Sequence, residues 1–98
     1  MLSHIALYNF KKEVDNSEKK VAAVRIKKAL ENLRDKIDGI IEISVEILLL
    51  ESSTADFLLL AKFRDKAALE GFNNSPLLFN VRTQMDKVEV VHTADYVV

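Results

Sequence analysis

Four stretches of the chain alternate in a way that leaves apolar residues on both sides: Leu2–Phe10, Ile40–Leu50, Ala55–Phe63 and Val88–Val98. Successive side chains of a strand point to opposite sides of its sheet, so alternation assigns each residue a side. In the first stretch one side carries Leu2, His4, Ala6, Tyr8 and Phe10, and the other Ser3, Ile5, Leu7 and Asn9. In the third, Ala55, Phe57, Leu59, Ala61 and Phe63 share a side while Leu58 and Leu60 point the opposite way. The second reads Ile41, Ile43, Val45, Ile47 and Leu49 along one side, with Glu42, Ser44 and Glu46 opposite, followed by Leu48 and Leu50. The last groups Val90, His92, Ala94, Tyr96 and Val98.

Between the strands the apolar spacing changes to three or four. Ala22, Ile26, Ala29, Leu30, Leu33 and Ile37 line one face of a helix from about Ser17 to Ile37. Asp15, Asn16 and Ser17 are N-cap types, Asp15 and Glu18 stand at capping-box spacing, and Gly39 suits a left-handed exit. Lys27, Lys28, Arg34 and Lys36 complement the helix dipole and read as a solvated face. Glu51–Thr54 reads as a turn between antiparallel strands.

Asp65 caps a short helix bearing Ala68, Leu69 and Phe72, which Asn73-Asn74 interrupts. Ser75-Pro76 restarts it, with serine as N-cap and proline at the first helical position; Leu78, Val81 and Met85 share the new face. The order is strand, helix, strand, strand, split helix, strand, an α+β ferredoxin-like βαββαβ arrangement. Right-handed crossovers put the helices on one face of a four-stranded antiparallel sheet. The other face, with Ile5, Leu7, Leu58 and Leu60, calls for a partner, most simply a second copy of the chain.

Composition narrows the function classes. At 98 residues there is room for one domain, 1–98, and 49% hydrophobic with 30% charged residues gives a chain that folds. A net charge of -1 argues against a nucleic-acid partner, which needs a concentrated basic surface. Cysteine is absent, which excludes disulfide and thiol chemistry. Met1–Ala6 lacks the pattern of a secretory signal, and no apolar run approaches a membrane span, so the expectation is a soluble cytoplasmic protein without a membrane partner. The only glycines, Gly39 and Gly71, form no phosphate loop, and two histidines on different strands give no metal signature; no cofactor is expected.

Several short motifs, in order, resemble a known family. They are His4 within His4-Ile5-Ala6-Leu7-Tyr8-Asn9-Phe10, Asp38-Gly39-Ile40, Phe63-Arg64-Asp65 leading to Phe72, Ser75-Pro76, and the closing Asp95-Tyr96. Over essentially its whole length the chain resembles the stress-responsive α/β-barrel family, a branch of the dimeric α/β-barrel superfamily. The resemblance implies a homodimer packed sheet against sheet into a barrel, with the helices outside. A plant polyketide cyclase of that family works in a pocket between sheet and helices, using a tyrosine and a histidine. The matching positions here are Phe72 and Leu78. Neither side chain carries a proton, so that mechanism cannot run.

By the same resemblance His4 faces the helices. It reads either as a pocket base or ligand-orienting group, or as a buried histidine satisfied by a backbone or hydroxyl partner. Tyr8, two residues along on that side, reads as supplying a hydroxyl to a ligand or, the plainer expectation, as placing its polar end at the rim. Glu42 and Glu46 suggest paired carboxylates, against the plainer expectation of a solvated strand edge. The resulting expectation is a dimer without assignable catalysis, with a small apolar ligand in a pocket lined by His4, Tyr8, Ile43, Phe72 and Leu78. Its interface would use Ile5, Leu7, Leu58, Leu60, His92 and Tyr96. The rival expectation is a cofactor-independent monooxygenase, cyclase or isomerase acting on an aromatic or polyketide-like substrate.

Overall fold

A computed structural model describes all 98 residues. The elements are β1 (Leu2–Phe10), α1 (Asn16–Glu31) with a 3-10 turn at Asn32–Asp35, β2 (Ile40–Glu46), β3 (Phe57–Phe63), α2 (Lys66–Asn73), α3 (Pro76–Arg82) and β4 (Val88–Val97). The sheet order is β2-β3-β1-β4 and every neighbouring pair is antiparallel, the ferredoxin-like arrangement.

Local chemistry sets the helix starts. Asp15 accepts from the Glu18 N–H at 2.8 Å and Asp65 from the Ala68 N–H at 2.9 Å, while Ser75 accepts from the Leu77 N–H at 3.2 Å with Pro76 opening α3. The α-helix ends at Glu31, earlier than the apolar spacing suggests, because the chain tightens to 3-10 geometry that still buries Leu33. At Gly39 φ is +89°, and a Cβ there would sit 2.4 Å from the Ala68 Cβ. Only glycine satisfies both the turn and the close approach.

The core lies between the helices and one face of the sheet. Phe57, Phe63 and Val45 are fully buried, with Ile26 and Leu30 of α1 and Phe72 of α2 packed among them. The Asp56 side chain ties the start of β3 to β1. It accepts from the Phe10 N–H at 2.8 Å, and the Asp56 backbone N–H donates to the Asn9 side-chain oxygen and the Tyr8 carbonyl, both at 2.9 Å.

The second strand is shorter than its apolar run. It stops at Glu46, and Ile47–Leu50 continues into the loop, leaving Leu48 and Leu50 exposed. A register slip between Ile40 and Glu42 removes Ile41 from the buried row that Ile43 and Val45 occupy. The outer edge of β2 is closed from within the chain. Lys27 donates to the Val45 carbonyl at 2.6 Å and to Glu31 Oε2 at 2.7 Å, and that same oxygen accepts from the Val45 N–H at 2.9 Å. Such a clip occupies backbone groups that an edge strand otherwise offers to another chain.

Candidate functional site

The site is built where β1 and β4 pair. Their register sets His4 opposite Asp95, Ala6 opposite Thr93 and Leu7 opposite His92. The pairing then slips, with Tyr8 opposite Val90, leaving Val91 as an extra residue. The bulge turns the two halves of β4 out of phase. His92, Ala94 and Tyr96 stay on the bare face opposite Leu7, Ile5 and Ser3, whereas Val90 joins Thr93 and Asp95 on the helix side. Grouping Val90 with His92 by unbroken alternation is therefore corrected.

On the helix side, β1 and β4 form the floor of a cleft whose opposite wall is the α2–α3 break. Its volume is about 480 Å³. Ala6, Leu30, Leu59, Phe72, Leu78, Met85, Val88 and Val90 supply the apolar lining; His4, Tyr8, Asn73, Arg82, Thr93 and Asp95 supply polar groups. Asn74 and Ser75 hold the break open, and it turns both Phe72 and Leu78 inward, at 1% and 3% exposure. Those two residues do not fill the space. The cleft takes in His4, Tyr8, Phe72 and Leu78 of the expected lining and adds polar groups from Asn73, Arg82, Thr93 and Asp95.

His4 and Asp95 meet at that end. His4 Nδ1 lies 2.5 Å from Asp95 Oδ1, with the histidine mostly buried and the carboxylate half-exposed. An ionised carboxylate only accepts, so Nδ1 carries the proton and donates. In the neutral ring the lone pair is then left on Nε2, the tautomer that suits proton acceptance or ligand contact. The partner of His4 is a carboxylate, not the backbone or hydroxyl group expected from the sequence.

Tyr8 sits deeper than a rim residue. It is buried, with its ring stacked on Phe57 at 4.8 Å between centroids and 8° between planes. Burial pushes its hydroxyl above the ordinary 10.0, and the positive charge of Arg82 pulls it part of the way back. The tyrosine therefore stays protonated as a donor at neutral pH.

Other expected site residues lie elsewhere. Ile43 packs in the core and does not line the cleft. Ile5, Leu7, Leu58 and Leu60 form one patch on the bare face, where Leu7 stands opposite Leu58 and Ile5 opposite Leu60. His92 and Tyr96 border that patch on β4. Glu42 does not pair with Glu46. It faces Lys62 at 3.6 Å while Glu46 is exposed.

Sequence reasoning left Asp95, Arg82, Thr93 and Asn73 out of the site. A signal for Asp95 was present, since alternation puts it on the side opposite His92 and Tyr96. Once those two belong to the bare face, Asp95 must face the helices with His4.

No helix is long and apolar enough to cross a membrane. No curated protein matches the chain. Among solved structures it is similar to a dimeric ferredoxin-like protein of unknown function from Bacteroides fragilis, at TM-score 0.85 and 24% identity over 97% of this chain and 93% of that one. A dimeric ferredoxin-like protein of unknown function from Jannaschia matches at TM-score 0.72 and 18% identity, covering 99% and 98%. A Dabb family protein from Mesorhizobium loti matches at TM-score 0.67 and 22% identity, covering 98% and 94%. These likenesses agree with the fold, and the model of the stress responsive A/B barrel domain matches residues 2–98, nearly the whole sequence. The chain belongs to the stress-responsive A/B barrel domain family, Dabb.

Proposed function

We propose that the protein is a homodimer whose sheet–helix cleft binds a small, largely apolar molecule and presents the His4–Asp95 pair to that molecule's polar group. The observation that carries this reading is the cleft itself. It is an open space of about 480 Å³, apolar over most of its lining, with an oriented histidine at one end. Binding sites for small molecules combine these features, an apolar lining and a few convergent polar groups. Dimerisation is supported by the bare patch of Ile5, Leu7, Leu58 and Leu60 and by the dimeric state of the Bacteroides fragilis and Jannaschia proteins. The test is Ala6→Leu, which adds volume to the cleft floor. Apolar aromatic probes should perturb NMR signals of Leu59, Leu78 and Val88 in the unaltered protein and lose that effect in the variant. Perturbation confined to residues outside the cleft would refute the reading.

The His4–Asp95 contact favours one second reading, proton abstraction by His4. A carboxylate that fixes the imidazole tautomer also stabilises the imidazolium formed when the ring takes a proton. Phe72 and Leu78 offer no partner acid, and the remaining donors in the lining include the Tyr8 hydroxyl and Arg82, so the chemistry is directed to a carbon already acidic beside a carbonyl. Solvent-deuterium exchange into a bound ketone, lost in both His4→Ala and Asp95→Asn, would establish it. Undiminished exchange in Asp95→Asn would rule it out.

A further inference from the structure

The cleft has one cation that the chain leaves unanswered. Arg82 lines the cleft from the last turn of α3, and no carboxylate of the chain pairs with it. The one acid in the cleft lining, Asp95, is held against His4 instead. An apolar molecule entering beside Arg82 strips water from the guanidinium, and that group cannot escape the cost by losing its proton. The molecule itself must then supply the acceptors.

We propose that the ligand is a monocarboxylate, with its apolar body along Leu59, Phe72 and Leu78 and its carboxylate on Arg82. This rests on the cleft being a binding site. Charge counting favours a single negative charge. With His4 protonated, the His4–Asp95 pair is neutral and Arg82 leaves one positive charge. With His4 neutral, Asp95 and Arg82 cancel, and a monocarboxylate on Arg82 leaves one excess negative charge where a dianion leaves two. A planar carboxylate also matches the guanidinium fork in two parallel hydrogen bonds. Asn73 and the protonated Tyr8 hydroxyl are further donors in the same lining. Arg82 is exposed and takes no part in the core, so replacing it tests recognition and not folding.

Calorimetric titration with 4-butylbenzoate and 4-butylbenzamide, two probes of nearly equal shape, separates charge from apolar contact. The unaltered dimer should bind the benzoate on the order of tenfold more tightly, the range of a charge-assisted hydrogen-bond pair. R82Q should remove that preference by weakening benzoate binding much more than benzamide binding, and R82K should restore it in part. Equal affinity for both probes, or an undiminished preference in R82Q, overturns the carboxylate assignment and leaves the cleft reading standing. Tighter binding of 4-butylphenyl phosphate than of the benzoate overturns it in favour of a phosphate ester. Failure of every probe to bind at millimolar concentration overturns the cleft reading and this inference with it.

Discussion

The two faces of the sheet use the same kinds of residue to different ends. On the helix face, Phe57, Leu59, Ala61 and Phe63 are sealed beneath α1 and α2, and the apolar surface is spent on folding. On the bare face the intervening residues of the same strand, Leu58 and Leu60, remain half-buried beside Leu7 and Ile5. A further difference lies within the helix face. Over β2 and β3 the helices pack closely, whereas over β4 they leave the cleft. The same layer therefore acts as core at one side of the sheet and as container at the other. Ile43, Val45 and the alternate residues of β3 from Phe57 to Phe63 are buried beneath the helices, whereas β4 is exposed along nearly its whole length.

The edges differ as well. At β2 the Lys27–Glu31 clip answers the backbone of Val45, while β4, at the opposite edge, is exposed along nearly its whole length.

The largest expected effect breaks the bare face. In the proposed dimer, Leu58→Asp places a carboxylate in an interface expected to bury about 1,200 Å² or more, where an unpaired charge is costly. Sedimentation should show the dimer lost at micromolar concentration; an undisturbed dimer would mean that the two sheets do not face each other. On the helix face, Leu78→Ala should cost about 2–5 kcal/mol in urea unfolding through the cavity it leaves. Ser75→Ala, which removes only the N-cap of α3, should cost about 1 kcal/mol. The reverse ranking of those two would show that Leu78 is not a wall of the fold.

The smallest effect belongs to the β2 edge. Burial alone would raise the Glu31 pKa, but the Lys27 hydrogen bond, the Val45 amide and the Lys27 charge outweigh it and hold the carboxyl below its ordinary 4.5. Its stabilising contribution is complete above the unfolded value and is lost as pH falls through the lower folded value. Glu31→Gln should lower stability modestly in the neutral region, where the carboxylate contributes fully, and change it least at acid pH, where Glu31 is protonated, so that the acid limb below about pH 4.5 flattens. Urea midpoints measured across that range are the check. An unaltered acid limb in the variant would mean that Glu31 contributes no net pH dependence there.

The sequence by itself determined the element order, the helix starts at Asp15, Asp65 and Ser75, and the inward faces of Phe72 and Leu78. These follow from near neighbours: a cap acts within three residues, and alternation or a three-to-four spacing is a property of one element. Only the tertiary structure decided the length of β2, because its end depends on where pairing with β3 stops, at Glu46 opposite Leu58, and not on the apolar run Ile47–Leu50. It also decided which residues of β4 face the cleft, Val88 and Val90 before the bulge and Thr93 and Asp95 after it. The bulge at Val91 comes from how β4 settles against β1, and a one-residue slip reverses every later side chain. The His4–Asp95 pair belongs to the same class. Its members are separated by 91 positions, and cross-strand register, which no local pattern encodes, brings them to 2.5 Å.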